Sequence, residues 1–426
     1  MTLSGSNQTV PMHISIPAVA LLFSATALAQ LPPGDGPNNV ATTALEPTPI
    51  KFEEALLARL QLPPGFKVNV FAKDLQHARW MDVGPNGDVY LSRPKQGDVL
   101  LLRDANGDGV ADGQRIVAQN VKNVHGLARR GQQLFMATDK KVLVADIVAD
   151  GSLGPLKVLV DDLPDGSQHP YRTLAFGPDD MLYVTVGSQC NNCVETNPEA
   201  ATVLRMRPDG TARSVYARGL RNTLGFGFNP VGGQLYGFDH GSDDRGDDVP
   251  PEELNAISAN KHYGWPFCWG NQQVDAKQQN DPENSTKADF CPTTEAPALT
   301  YTAHSAPIGM VFYQGRQFPA DFRGSAFVAM RGSWNRAQPS GYKVVRVRFD
   351  AAGKPTGIED FATGWLMNDP PARLLQPGQG PSAEQMKARR PAQLGRLSGL
   401  AVAADGALLV AEDQNGVIYR ISHAGR

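Results

Sequence analysis

TLAFGPDDMLYVTVGS, residues 173–188, is a short apolar strand, a Pro-Asp-Asp turn and a second apolar strand. Proline presets the first corner of the turn and the aspartates hydrogen-bond the backbone after it, so the chain reverses and the two strands pair as a hairpin. The same grammar stands upstream in MDVGPNGDVYLS from Met81 and HGLARRGQQLFMAT from His125. Downstream it returns in LGFGFNPVGGQLYGFD from Leu224, IGMVFYQGRQFPADFRGSAFVAM from Ile308 and SGLAVAADGALLVAED from Ser398.

Each hairpin has more apolar surface than it can bury alone. Radial stacking of four-stranded sheets solves that, so six copies predict an all-β fold, a six-bladed β-propeller of four-stranded antiparallel blades. GFKVNVFA, from Gly65, is a strand without a hairpin and is expected to close the ring against the last blade. The 426 residues exceed an average domain, yet large all-β folds run as single units. The 43 glycines and 33 prolines, spread along the chain, favour short strands with tight turns over long helices. A formal charge of −3 with no basic block excludes a nucleic-acid surface and a polybasic membrane patch.

IPAVALLFSATALAQ, Ile16–Gln30, has an apolar core and an Ala-x-Ala-like end that suits signal-peptidase cleavage before Gln30, although a basic leader is missing. The run is too short for a permanent membrane anchor. The expected organisation is a signal peptide over 1–29, a linker over 30–61 and the propeller over 62–426, in a periplasmic or secreted protein. Four cysteines fit that compartment. The expected pairs are 190–193 and 268–291; a redox-active CxxC and a four-thiolate zinc site are the alternatives.

In a propeller the first strand of each blade starts beside the axis at one face, so the residues just before each copy should converge there. Those slots hold Arg79-Trp80, Asn123 and His125, His169 and Arg172, Arg221-Asn222, His304, and Arg396. Loops after each second strand, 187–195, 239–248 and 331–336, open on the same face. Several arginines at one hollow imply a polyanionic ligand. Neither a Walker A loop nor a GxGxxG after a strand is present, which leaves nucleotide cofactors without a site. HGSDDRGDDVPPEELN, His240–Asn255, offers carboxylates and glycine-freed carbonyls, the hard oxygen donors calcium prefers.

The run ARGLRNTLGFGFNP from Ala217, LYGFDHGSDDRGDDVPPEELN from Leu235 and HYGWP from His262 joins an Arg-Asn pair, an acidic glycine-rich loop and an aromatic stop. In that order it resembles the soluble quinoprotein sugar dehydrogenases, propellers that use pyrroloquinoline quinone (PQQ) and calcium, above all their sorbosone and pyranose dehydrogenase-like branch. The resemblance spans Leu62 to Ser422. It implies oxidation of the anomeric or aldehyde carbon of a sugar, with electrons passed to an external acceptor, a cytochrome or a quinone. It places the catalytic base at His169, in HPYRTLAFG, and Arg221 over the quinone with Asn222 at its edge. It also implies cofactor contacts from His125, Arg172, His304, Arg331 and Arg396, and a calcium held by Gly241, Ser242 and Asp247 or Asp248. The chain departs from the glucose-oxidising members at several of these positions. Arg331 stands where they carry a lysine, Ser398 replaces the second of an arginine pair begun by Arg396, His304 replaces a small hydroxyl residue and His125 an amide.

DANGDGVADG, Asp104–Gly113, has the alternating oxygen residues of half an EF-hand but no glutamate at the twelfth place, so it is either a structural calcium loop or a plain turn. Two other functions suit the same architecture, a calcium-dependent lactone or ester hydrolase and a non-catalytic sugar-binding propeller. The hydrolase needs carboxylates aimed down the axis, whereas the slots are histidine and arginine.

Overall fold

The computed structural model describes residues 1–2, 44–368 and 390–423. The chain divides into two units, Met1–Leu31 and Pro32–Arg426, and all described strands belong to the second. The expected signal peptide, apart from Met1 and Thr2, and the Pro370–Pro391 insertion, apart from Arg390 and Pro391, lie outside the described residues.

Each of the six hairpins becomes the first two strands of its own antiparallel sheet. The first sheet runs Trp80–Val83, Val89–Arg93, Asp98–Arg103 and Gly113–Ala118. The second starts with Leu127–Arg130 and Gln133–Ala137, and the third with Leu174–Phe176 and Leu182–Val186. Thr223–Phe228 and Leu235–Asp239 begin the fourth, Pro307–Phe312 and Ala326–Met330 the fifth, Leu397–Val402 and Leu408–Glu412 the sixth. Five of the sheets have four strands; the third gains a short parallel fifth, Lys261–His262. The sixth is completed by Phe66–Ala72, which pairs antiparallel with Val417–His423, so the lone strand near the start of the described chain joins the last sheet as expected.

The turns behave as their residues require. Gly87, Gly406 and Asp180 take φ of +82°, +91° and +61°, the left-handed corner that closes a short hairpin and that glycine, or an aspartate, supplies at least cost. The second strand of most hairpins is buried along its whole length, as in Val89–Arg93, Leu182–Val186 and Ala326–Met330. Such strands have sheets on both faces, which explains why their sequences are apolar without alternation.

The core lies between sheets. Met81, Val89 and Leu91 of the first share a cluster with Ala401, Leu409 and Ile418 of the sixth, while Tyr90 and Leu101 of the first meet Leu134 and Met136 of the second. Phe135 and Val144 meet Leu182 and Val184, Tyr183 meets Phe226 and Leu235, Phe238 meets Val328 and Val345, and Phe327 meets Leu408 and Tyr419. Residues 44–61, expected as linker, are drawn into this last cluster by Ile50, Leu56 and Leu60, and Thr48–Pro49 pairs with Ala392–Gln393. Both disulfides, Cys190–Cys193 and Cys268–Cys291, form as expected.

Candidate active site

Three of the slot and loop arginines gather around one carboxylate. Arg79 Nη1 and Arg331 Nη1 each donate to Asp413 Oδ2 at 2.7 Å. Arg396 lies beside them, with Nη2 on the carbonyl of Gly332 at 2.5 Å and its guanidinium 5.9 Å from the centre of the Tyr342 ring. Burial alone would raise the Asp413 carboxyl; Arg331 and Arg79 overcome that and hold it well below the usual range. Burial, with Arg331 alongside, pulls Arg79 down and Arg396 to about 10. His77, 3.6 Å from Asp413, is lowered to about 4 by burial and stays neutral. Arg79 and Arg331 share one carboxylate with Arg396 alongside, so positive charge is in excess, and the buried Arg396 Nε has no partner among the described residues. An anion with several carboxylates suits this donor set.

A second cluster carries the base. His169 Nδ1 lies 2.8 Å from the carbonyl of Ser188 and 2.9 Å from Ser188 Oγ. A carbonyl only accepts, so Nδ1 holds the proton and Nε2 keeps its lone pair. Among the described residues Nε2 takes no hydrogen bond. Burial, then the charge of Arg221, hold His169 well below the ordinary histidine value. Gly187 makes the close approach possible: a Cβ there would meet His169 Cβ at 2.6 Å and Asn222 Oδ1 at 3.0 Å.

Arg221 and Asn222 enter the same space from the start of the fourth sheet, their main-chain N–H groups donating to Asp239 at 2.8 Å each. The Arg221 side chain is held by the carbonyl and side-chain oxygen of Asn191 and by Asp243 Oδ2, at 2.8–2.9 Å. Asn222 Nδ2 is 3.4 Å from His240 Nδ1. His240 donates from Nε2 to the carbonyl of Pro307 at 2.6 Å, and burial, Arg221 and Arg79 push it down to about 4. The charges of Arg221 and Arg79 therefore both act on His240.

The remaining expected cofactor residues are committed to the walls. Arg172 is fully buried and donates to the carbonyls of His169 at 2.6 Å and Pro164 at 2.8 Å, so it holds the base loop from behind. His125, equally buried, accepts from Arg79 Nε at 3.1 Å, donates to the Arg172 carbonyl and stacks on Tyr171 at 4.6 Å. His304 donates to the Gly246 carbonyl at 2.8 Å and its Nδ1 lies 3.3 Å from Asn335 Nδ2.

Around Gly241 and Ser242 the structure places carboxylates other than the two singled out from sequence. Asp247 accepts from the Ala337 N–H, and Asp248, with its side chain 86% exposed, pairs with Arg336. A small cavity of about 20 Å³ is lined instead by Asp239, Gly241, Ser242, Glu253, Tyr263 and Asp275, among others. That is room for one water or one ion. Burial raises Glu253 to about 8, Glu252 to about 8 and Asp239 to about 6. Carboxyl groups that burial pushes upward are a donor set that a divalent cation would satisfy. Cys190, Cys193 and Glu195 also lie close together, but both sulfurs are in the disulfide.

A family model described as TrAA12-like matches residues 60–424. The chain belongs to the TrAA12-like family. Among solved structures, the holo form of the pyranose dehydrogenase PQQ domain from Coprinopsis cinerea superposes with a TM-score of 0.68 at 21% identity, over 85% of this chain and 97% of that one. A calcium structure of a Trichoderma reesei carbohydrate-active enzyme of family AA12 gives a TM-score of 0.68 at 19% identity, over 91% and 99%. An uncharacterised protein of Borreliella burgdorferi is 26% identical over 384 residues, 86% of this chain and 92% of its own. These likenesses fix the fold of this TrAA12-like chain, and its chemistry is read from its own side chains. Asp413, Asn191, His240 and Glu253 were not singled out from the TrAA12-like sequence. Asp413, His240 and Glu253 lie within quoted motifs and Asn191 within the loop 187–195, but nothing in the order of residues says that these side chains turn inward.

Proposed function

We propose that this protein is a PQQ- and calcium-dependent sugar dehydrogenase, exported to the periplasm or beyond, in which the six sheets are the blades of a closed propeller and the site lies at one end of its axis. The observation that carries the reading is the arginine group with its excess positive charge together with a histidine whose Nε2 takes no hydrogen bond among the described residues. PQQ is a tricarboxylate, and Arg79, Arg331 and Arg396 would hold it, with Arg221 and Asn222 at the reacting end. Calcium would be taken by the main chain at Gly241–Ser242 with Asp239 and Glu253. When bound, the quinone supplies a two-electron acceptor and the cation a Lewis acid.

The chain's own part is the proton. His169 Nε2 accepts the proton of the sugar hydroxyl as hydride departs from the anomeric carbon, and the Nδ1–H bond to Ser188 fixes the ring in the tautomer that can do so. Trp334, 50% exposed on the loop that bears Arg331, offers an aromatic face to a sugar ring. Electrons leave to an external acceptor, a cytochrome or a quinone. The two disulfides favour an oxidising compartment, and among the described residues no helix is long and apolar enough to cross a membrane.

The test is reconstitution. Purified protein stripped of metal is given PQQ and calcium, and its ultraviolet-visible spectrum is recorded before and after a panel of aldoses, pyranoses and sorbosone, with dye reduction followed in parallel. A bound quinone spectrum that bleaches with sugar supports the assignment. No cofactor uptake and no dye reduction overturn it.

A further inference from the structure

Two asparagines lie between the paired cysteines in Cys190-Asn191-Asn192-Cys193, and both are buried, 7% and 1% exposed. A bridge spanning only three positions restricts the unfolded chain less than the bridge over 23 between Cys268 and Cys291, so its main consequence is local stiffness. The stiffened residues face the site on three sides.

Asn191 meets Arg221 at two points: its carbonyl accepts from Nε at 2.8 Å and its Oδ1 from Nη2 at 2.9 Å. Two bonds to one guanidinium fix its plane as well as its position. The same Oδ1 accepts from the Asp243 N–H at 2.8 Å, and Nδ2 donates to the Asp243 carbonyl at 3.2 Å, so the carboxylate that completes the Arg221 shell is held by the same residue. One residue earlier, the Cys190 carbonyl accepts from Ser188 Oγ at 2.6 Å, which orients the hydroxyl beside His169 Nδ1. One residue later, Asn192 Nδ2 donates to Ser242 Oγ at 3.1 Å and to Asp275 Oδ2 at 2.8 Å, on the wall of the small acidic cavity.

We infer that the disulfide-closed loop Cys190–Cys193 is a positioning clamp that sets Arg221 relative to His169 and the Gly241–Ser242 segment, with Asn191 as its principal positioning residue. The inference rests on the reading of Arg221 as a cofactor contact, but the clamp itself is a statement about protein geometry. Opening the bridge frees the Asn191 carbonyl to swing, and Arg221 then keeps Asp243 without the second and third bonds that orient it.

The test uses the full chain with Asn191→Ala, and with Cys190→Ser and Cys193→Ser combined. The Arg221 Nε–H, assigned with an Arg221→Lys control, is followed by nitrogen-15 NMR in protein without cofactor, and PQQ is titrated in the presence of calcium by protein fluorescence. Both variants are expected to exchange the Nε–H at least tenfold faster than wild type and to bind PQQ at least tenfold more weakly, while Asn191→Asp, which keeps the Oδ1 acceptor, recovers most of both. Exchange within twofold of wild type in the variants overturns the clamp. If wild-type protein takes up no PQQ, the proposed function falls and the exchange rates still decide the clamp. Should the double serine variant fail to fold, Asn191→Ala, with the disulfide intact, carries the test.

Discussion

Arg79 and Arg331 reach the same oxygen of Asp413, each at 2.7 Å, from the first sheet and from the loop after the fifth sheet's second strand. One carboxylate thus ties two elements far apart in sequence and holds two like charges close together.

Removing that carboxylate leaves the buried Arg79 facing the half-buried Arg331. Asp413→Asn is expected to destabilise the cofactor-free protein by about 3–5 kcal/mol, the usual cost of breaking a buried pair from one side. PQQ, bringing new carboxylates, should then raise the melting temperature more in the variant than in wild type. Equal increments in a paired thermal-shift series would show that the arginines do not meet the anion.

His169 is neutral in the site because of burial first and Arg221 second, with His240 and Arg172 adding smaller effects in the same direction. A base held below its ordinary value stays unprotonated as pH falls through 6.5, so kcat/KM should remain level from pH 7.5 to 6. His169→Gln should lower kcat by about 10²–10⁴-fold while PQQ affinity stays within a few-fold of wild type. A profile that falls with a midpoint near 6.5 would mean that a differently placed group takes the proton.

The carboxyls of Glu252 and Glu253, raised to about 8, predict how metal and pH interact. In the metal-free protein the folded state binds protons that the unfolded state has already released above about 4.5, so this stability is full at low pH and lost as pH rises through 8. Melting temperature without calcium should therefore fall between pH 5 and 9. Calcium should flatten that slope, release protons on binding and lose affinity as pH drops below 8. Glu253→Gln should abolish the calcium response, whereas Asp247→Asn and Asp248→Asn should leave it intact. Loss of the response in the Asp247 or Asp248 variants instead would return the metal to the residues first expected from sequence.

The all-β class was legible because every hairpin carries its own turn: Gly87, Asp180 and Gly406 reverse the chain locally, with no help from distant contacts. The slot residues were legible because they precede first strands. Which way their side chains turn was not. Arg172 sits beside His169 in sequence and serves it through carbonyls on the buried side, while Asp413, 334 residues from Arg79 and 82 from Arg331, becomes their partner only when the first, fifth and sixth sheets meet. The acidic loop shows the same limit. Asp247 and Asp248 stand out by composition, yet Glu253, two residues past the Pro250-Pro251 pair, occupies a strand whose register turns it toward the cavity.

Gly187 offers a test of the base that leaves every polar group in place. Its missing Cβ is what lets His169 Cβ and Asn222 Oδ1 come within 2.6 Å and 3.0 Å of the position that a methyl would fill. The first contact is too short for any real Cβ, so Gly187→Ala must move the His169 ring or the strand end that carries Ser188. Overpacking of this kind costs about 1–3 kcal/mol of stability. Because the displaced atoms are the base and the Asn222 amide beside it, kcat should fall by at least tenfold even when PQQ is saturating. Gly187→Ala with wild-type kcat would place the proton-accepting atom elsewhere in the site and remove His169 from that role.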